Sequence, residues 1–461
     1  MQFLKINTSV KNVPVLDKTF LPFAKWNKAF LETASKPLCI AVERTGGLTS
    51  TYNTFIHGTP DMAEADCYYT ERLVKFLLWA KGGFKVIVCG DDMVADYIAK
   101  AYSTDGARAF DFHFMERVYE QPFVVEARTY EQRPAQNEAS KPLGRHLDGC
   151  RIGFDAGGSD RKVSAVVDGV AVYSEEVVWL PKVTADPDYH FNGIVESFKT
   201  AASHMPRVDA IGVSSAGIYI DNRTMVASLF LQVPDDLFDQ KVKDIYLRAA
   251  KEIGDVPIEV CNDGDVTALA GAMSMEDVQV LGIAMGTSEA VGYVDAKGNI
   301  TGWLNELAFA PVDAQPDAMA DEWSGDIGCG VKYFSQDSVI KLAPRAGIAL
   351  DETATPAEKL KVVQSLMESD DPRAMQVYHS IGTYLGHTLA FYADFYDIKH
   401  VLLLGRVMSG KGGDLILKVA KEVLADEYPQ IQMNPCMPDE KARRVGQSVA
   451  AASLPQIHLL C

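Results

Sequence analysis

The stretch 150–178, CRIGFDAGGSDRKVSAVVDGVAVYSEEVV, decides how this chain is read. Its apolar residues alternate on either side of two turns, one at Gly157-Gly158 and one at Asp168-Gly169. Alternation at period two predicts half-buried strands, and an Asp-Gly pair between such runs predicts a tight hairpin. The first turn has chemistry as well as geometry. Bare glycines at 157 and 158 let backbone N–H groups approach phosphate oxygens; Ser159 adds a hydroxyl donor, Lys162 a positive charge, and Asp155 a carboxylate able to hold a hydrated magnesium ion. A single turn of this kind is usually only a hairpin, so its company decides.

A second opening of related shape lies at 282–300, where a strand runs into Gly286-Thr287-Ser288 and then into another glycine-bearing hairpin. This is the arrangement of a second phosphate clamp, and the pair suggests a duplicated core. The segment 39–55, CIAVERTGGLTSTYNTF, resembles the first opening loosely, but its glycines are out of register by one and no third copy is expected. Between the two clamps, PIEVCNDGD at 257–265 reads as a strand ending in carboxylates ahead of the helix VTALAGAM. Asp263 or Asp265 suits a helix N-cap there; Asp263 also suits a general base for a substrate hydroxyl. Farther on, Gly405, Arg406, Gly410, Gly412 and Gly413 follow a strand and open a helix, offering bare backbone to a nucleotide's base and ribose.

The rest of the chain bounds the answer. With 461 residues, 48% of them apolar, it is long enough for about three domains and more than one core. Its 44 basic and 62 acidic residues leave a net charge of −18, which disfavours general binding to nucleic acid or an anionic membrane. No apolar run approaches the ~20 residues that span a bilayer, and the N-terminal residues lack the apolar core of a secretory signal. A soluble cytoplasmic protein with a small-molecule partner is expected, and a homo-oligomer is compatible with this. Eight cysteines without a CxxC pair indicate neither a disulfide framework nor a ribbon-type zinc site, only reduced thiols in or near the core.

The polar stretch 129–147 reads as a linker closing a separate α/β domain at 1–147, with strands at 38–43 and 84–89 and a helix at 68–80. Beyond it, lobes are expected at 148–277 and 278–461, the last helix packing back on the first lobe. Further strands are predicted at 210–213, 258–261, 278–284, 290–294 and 400–404, and helices at 191–204, 237–253, 357–367, 374–396 and 413–424. Strand–helix alternation with hairpins gives an α/β class with at least two mixed sheets. His387 and the aromatics Phe391, Tyr392, Phe395 and Tyr396 read as core, while Trp303 and Trp323 suit either core packing or stacking on a ring.

In order and spacing these motifs resemble the ROK family of sugar kinases, within the superfamily of actin, the heat-shock chaperone ATPases and hexokinase. The resemblance runs from residue 151 to the C-terminus. It implies a two-lobed actin/hexokinase-like (ribonuclease H-like) kinase fold with an additional N-terminal α/β domain, using ATP and magnesium in a cleft between lobes. By the same resemblance Asp263 is the catalytic base and Asp155 holds magnesium through water. Gly157, Gly158, Ser159, Lys162, Gly286, Thr287 and Ser288 hold phosphates. Gly405, Arg406, Gly410, Gly412 and Gly413 take the base and ribose; Asn262, Glu306, Ser215 and Gly217 contact the substrate. The family's closing small-residue helix corresponds to 445–452.

The departures lie in the sugar pocket. Segment 305–309, NELAF, keeps Glu306 but has Phe309 where the family has histidine. Only Gly328-Cys329-Gly330 remains of the cysteine-rich zinc loop, Val331 stands for a sugar-contacting glutamate, and Ala216 for the usual proline. No zinc is expected, and an apolar wall at 309 and 331 predicts a deoxy or acylated sugar, or a smaller polyol, rather than glucose. The rival expectation is a catalytically inactive ligand-binding sensor or regulator on the same fold. The family's repressors carry an N-terminal helix-turn-helix, whereas residues 1–150 show strand runs and no basic recognition helix.

Overall fold

The computed structural model describes residues 1–438 and 446–457. They form two compact units: Met1–Ala139 with Ile283–Val291 and Trp303–Met437, and Ser140–Gly282 with Gly292–Gly302 and Pro438–Cys461.

In the first unit, β1 (Lys36–Glu43), β2 (Thr49–Ile56), β3 (Lys85–Cys89) and β4 (Val124–Arg128) make a four-stranded sheet in the order β2-β1-β3-β4. Strand β1 is antiparallel to both neighbours, and β3 is parallel to β4. The β1–β2 connection turns on Gly46 and Gly47 at φ 73° and 75°, so the 39–55 segment does form a strand, glycine turn and strand. Helix α1 (Ala63–Lys81) is buried along nearly all its length, which requires cover on more than one side. Part of that cover comes from the far end of the sequence: Phe76 packs on Phe391 and Phe395, with centroids 4.9 and 4.1 Å away, and Trp79 on Phe309 at 4.5 Å. Residues 1–139, read from sequence as most of a domain of their own, therefore share one core with 303–437. The stretch read as a linker is tied down at its start: Thr49 and Asn137 exchange backbone hydrogen bonds, and Glu138 accepts from the buried Arg44.

The second unit is built on β5 (Cys150–Ala156), β6 (Asp160–Val167), β7 (Val170–Val178), β8 (Ala210–Ser215) and β9 (Ile258–Asn262), ordered β9-β8-β5-β6-β7. Strands β5 to β7 form the antiparallel meander that their alternation predicts, with Asp168 and Gly169 at φ 47° and 80° in the tight turn. Strands β8 and β9 run parallel to β5. Helices α2 (Pro187–Ser203) and α3 (Asp263–Met275) follow. The helix expected at 237–253 is broken into Asp235–Leu237, a wide turn at Phe238–Val242 and Ile245–Lys251. The carbonyl of Lys243 is taken by the Thr224 backbone N–H at 2.8 Å instead of by a helical partner.

A further sheet contains β10 (Val280–Met285), β11 (Glu289–Val294), β12 (His400–Leu404) and β13 (Asn434–Cys436) in the order β11-β10-β12-β13. In the first unit α4 (Pro372–Tyr392) packs along α5 (Gly410–Glu427). His387 on α4 is fully buried, bonded to Tyr428 at 2.6 Å and to the Asn12 carbonyl at 2.7 Å, a core histidine with both nitrogens engaged. Helix α6 (Gln447–Ala452) lies on the sheet of the second unit, above β5 and β8; Val445 of the expected segment lies outside the described residues. No described helix is long and apolar enough to cross a membrane. Six of the eight cysteines are buried free thiols and Cys436 is half-buried, while Cys461 lies outside the described residues.

Candidate functional site

In a parallel α/β sheet, ligands bind beyond the carboxyl ends of the strands. The register of the second unit brings its candidates to that edge: Asp155 pairs beside Ser214, and Ser215 beside Asn262. The Ser214 hydroxyl donates to Asp155 Oδ1 at 2.9 Å. Burial pushes the Asp155 carboxyl up to about 6; the Ser214 bond opposes that shift and the negative charge of Asp263 adds to it. Asp263 is also raised, by burial first, with the Gly264 N–H and the charge of Lys182 pulling the other way. Both residues are half-buried.

The helix cap falls on neither aspartate. Asn262 is the N-cap of α3: its Oδ1 accepts from Gly264 N at 2.8 Å while its Nδ2 donates to the Gly217 carbonyl at 2.7 Å. Gly217, at φ 140°, has no room for a side chain, since a Cβ would stand 2.5 Å from the Val226 oxygen. Asn262 and Gly217 thus brace one another. Asp265 is buried and accepts from Tyr293 N at 3.1 Å, a structural role. That leaves Asp263 in the first turn of α3, its carboxylate engaged by the Gly264 N–H at 3.0 Å.

Ser215 corrects an expectation. Its hydroxyl is completely buried and accepts from Tyr219 at 2.6 Å and Tyr246 at 2.8 Å, so it faces the core and not a substrate. Successive strand residues point to opposite faces, so Ser214, one position earlier, is the serine on the face of Asp155. Gln447, at the start of α6, completes the group: its Nε2 donates to Ser214 Oγ at 3.0 Å and to the Asp263 carbonyl at 2.8 Å. Sequence reasoning passed over Ser214, Gln447 and Lys182. Only Ser214 had a signal, the strand's period of two.

At the glycine turn, Trp179 donates its indole N–H to Gly157 O at 2.7 Å, and Ser159 Oγ donates to Asp160 at 3.0 Å. Gly158 and Ser159 are exposed. A Cβ at Gly158 would lie 2.7 Å from the Lys182 Cε, so that lysine runs across the bare turn. Lys162 points instead towards Asp160 and Glu176, 3.7 and 3.9 Å away.

In the first unit, Thr287 and Ser288 are exposed after β10, and the nearest atom to a Cβ on Gly286 would be 3.9 Å away. Arg406 donates to Thr287 Oγ1 at 2.8 Å, which joins the expected phosphate loop to the expected nucleotide loop. Gly405, at φ 97°, lies so close to Met285 that a Cβ would overlap that residue's backbone. Gly410 is exposed against Glu368. Gly412 and Gly413 are buried, one beneath Tyr378 and the other against the Met408 carbonyl. They let α5 pack closely and are not open to a ribose. The Glu306 backbone N–H donates to Trp79 O at 2.9 Å. Phe309, half-buried, sits among Trp79, Phe110 and Phe114. The ring of Trp303 is covered by Lys81 Nζ at 3.1 Å, whereas Trp323 is exposed.

No protein-family model and no curated protein matches the chain. Solved structures do. The ROK hexokinase of Thermus thermophilus matches with a TM-score of 0.50 at 18% identity, over 66% of this chain and 97% of that one. A ROK-family transcriptional regulator, a homologue of the E. coli Mlc protein, matches with 0.50 at 16% identity, over 70% and 82%. This chain shares the fold of these ROK-family structures over about two thirds of its length.

Among the described residues no group of three or more His, Cys, Asp or Glu side chains is placed to hold a metal ion. Magnesium bound with a nucleotide keeps most of its waters and needs only one or two carboxylates, and Asp155 is one such carboxylate at the sheet edge. The 157–159 turn has two glycines and a lysine across it, features that suit an anion, while the Ser159 hydroxyl is engaged by Asp160. Where the ROK resemblance expects a zinc loop, ion pairs hold the chain. Asp326 is bound by Arg72 and Arg108, each at 2.9 Å, and by Lys75 at 3.2 Å, all buried or nearly so. Cys329, three residues on, is buried with its thiol pushed up to about 12 by desolvation.

Proposed function

We propose that this chain transfers the terminal phosphoryl group of ATP to a hydroxyl of a sugar or sugar-like small molecule. The observation that carries the reading is that Asp155, on β5, and Asp263, just past the end of β9, flank β8 at one sheet edge, where Ser214 holds the Asp155 carboxylate and Gln447 ties Ser214 to the Asp263 backbone carbonyl. Asp263 accepts the proton of the attacking hydroxyl, and its raised pKa makes it a better base than an ordinary surface aspartate. Magnesium, when bound with the nucleotide, neutralises phosphate charge; Asp155 is the residue that would hold its water shell. Gly157, Gly158 and Ser159, together with Gly286, Thr287 and Ser288, offer donors to phosphate, while Gly405, Arg406 and Gly410 are the exposed members of the base and ribose loop. Asn262 and Gly217 fix the backbone around Asp263, and Glu306 anchors the acceptor.

The acceptor is a sugar less polar than glucose. Phe309 stacks in an aromatic group where the resemblance has a histidine, and stranding a hydroxyl against such a wall costs about 1–3 kcal/mol. The same aromatic group favours the second reading, a sensor that binds ligand without turning it over, and the fold is shared by a hexokinase and a transcriptional regulator. An ATP-consumption screen over glucose, deoxy sugars, N-acyl sugars and polyols decides between them. The expected result is turnover on a deoxy or N-acyl sugar above that on glucose, with Asp263→Asn lowering kcat by about 100-fold or more at unchanged melting temperature. Sugar binding without ATP consumption would establish the sensor; near-normal turnover by Asp263→Asn would remove Asp263 as the base.

A further inference from the structure

The segment that carries Lys182 is clamped to the glycine turn. Trp179, buried, donates its indole N–H to Gly157 O at 2.7 Å and its backbone N–H to Ser159 O at 3.1 Å. The carbonyl of buried Pro181 meets the ring of buried His190 at 3.1 Å. The backbone leading into Lys182 is therefore fixed on two sides, although the lysine itself is exposed. Its Nζ lies 3.0 Å from where a Cβ on Gly158 would stand. It makes no hydrogen bond or ion pair with any described residue. Lys162, the lysine that sequence position favours, already faces the carboxylates of Asp160 and Glu176. A cation lying over the glycine turn, with no carboxylate hydrogen-bonded or ion-paired to it, lacks only acceptor oxygens, and a phosphate supplies them.

We infer that Lys182, and not Lys162, is the cation that binds the terminal phosphate of the nucleotide at the 157–159 turn. This rests on the phosphotransferase reading above. A lysine at that place offsets phosphate charge in the bound state and acts beside Asp263, whose carboxyl already feels its field.

Calorimetric titration with AMP-PNP and with AMP, in magnesium buffer, tests this on the full chain with Lys182→Gln, Lys182→Arg and Lys162→Gln. A charge-assisted contact to phosphate predicts that Lys182→Gln weakens AMP-PNP binding about 10-fold or more and AMP binding less than about 2-fold. Lys182→Arg should recover most of the loss, and Lys162→Gln should lose less than about 3-fold. Wild-type AMP-PNP affinity in Lys182→Gln, an equal loss for AMP, or a loss in Lys162→Gln as large as that in Lys182→Gln would overturn the inference alone. A wild-type chain that binds neither nucleotide would overturn the phosphotransferase reading, and the assignment of Lys182 with it. The exposed side chain makes misfolding an unnecessary explanation for any loss, and an unchanged melting temperature checks it.

Discussion

Glu289, the first residue of β11, is 3% exposed and neither carboxylate oxygen has a hydrogen-bond partner. Burial, with the nearby charge of Glu306 adding to it, pushes its pKa up to about 8. The folded chain therefore keeps it protonated at neutral pH, while the unfolded chain ionises it near the ordinary glutamate value. The sign follows from linkage: between those two values the folded state binds the extra proton, so its stability falls as pH rises through the window and levels off above about 8. Glu289→Gln removes that titration. Its melting temperature should gain on the wild type between pH 5 and pH 8.5, by up to about 1.4 kcal/mol of stability per pH unit crossed. An equal difference at both pH values would mean that the carboxyl is already paired. The proposed phosphotransfer needs Asp155 and Asp263 ionised: with Asp155 near 6 and Asp263 raised, kcat/KM should fall as pH drops through about 6. Flat activity down to pH 4.5 would contradict a requirement for both groups in ionised form.

Among the elements, α6 has the clearest packing condition. It lies so close to β5 and β8 that a Cβ on Gly153 would overlap the Ser448 carbonyl, and one on Gly212 that of Ala451. Glycine is required there by space alone, since neither residue has a positive φ. The same helix begins with Gln447, which holds Ser214 and the Asp263 backbone. Overpacking should thus reach the site as well as the core. Gly212→Ala is expected to cost about 1–3 kcal/mol of stability and to lower kcat, whereas Gly286→Ala, with open space around it, should leave the melting temperature near that of wild type. Thermal melts of the two variants decide this; equal melting temperatures would show that α6 moves away freely. The family resemblance supplied the helix and its packing back on the first lobe but not the hold of Gln447 on Ser214, because closeness between a helix and two strands has no periodic trace along the chain.

Across the first unit, residues from the two ends of the sequence make one core. Phe23 packs on Phe391 at 5.5 Å, Phe20 on Tyr384 at 4.7 Å, and Leu21 N donates to Asp313 at 2.9 Å. Asp326 balances Arg72, Lys75 and Arg108 below 10% exposure except for the partly open Arg108. Removing one partner from such a buried group leaves charges uncompensated. Asp326→Asn should cost about 3–5 kcal/mol, read as a lowered denaturation midpoint, and a midpoint unchanged from wild type would show that water already screens the group. A chain starting at residue 140 should lack half of this core and fail to give soluble, cooperatively melting protein. Soluble recovery with a sharp melt would restore residues 1–139 to the status of a separate domain.

The local patterns belonged to the sequence. Alternation with an Asp-Gly turn fixed the 150–178 meander, and the order of the glycine and Asn-Asp motifs pointed to the fold, because hairpins and strand-end turns are specified by residues adjacent in the chain. Tertiary structure alone decided the rest. It turned Ser215 inward and Ser214 towards Asp155, placed Asn262 and not Asp263 at the helix cap, and buried Gly412 and Gly413 under Tyr378 and Met408. It brought Lys182 over the glycine turn and joined residues 1–139 to 303–437. Each of these depends on which surfaces meet across long separations in sequence, and that is set by packing and charge balance in three dimensions, not by any pattern of neighbours along the chain.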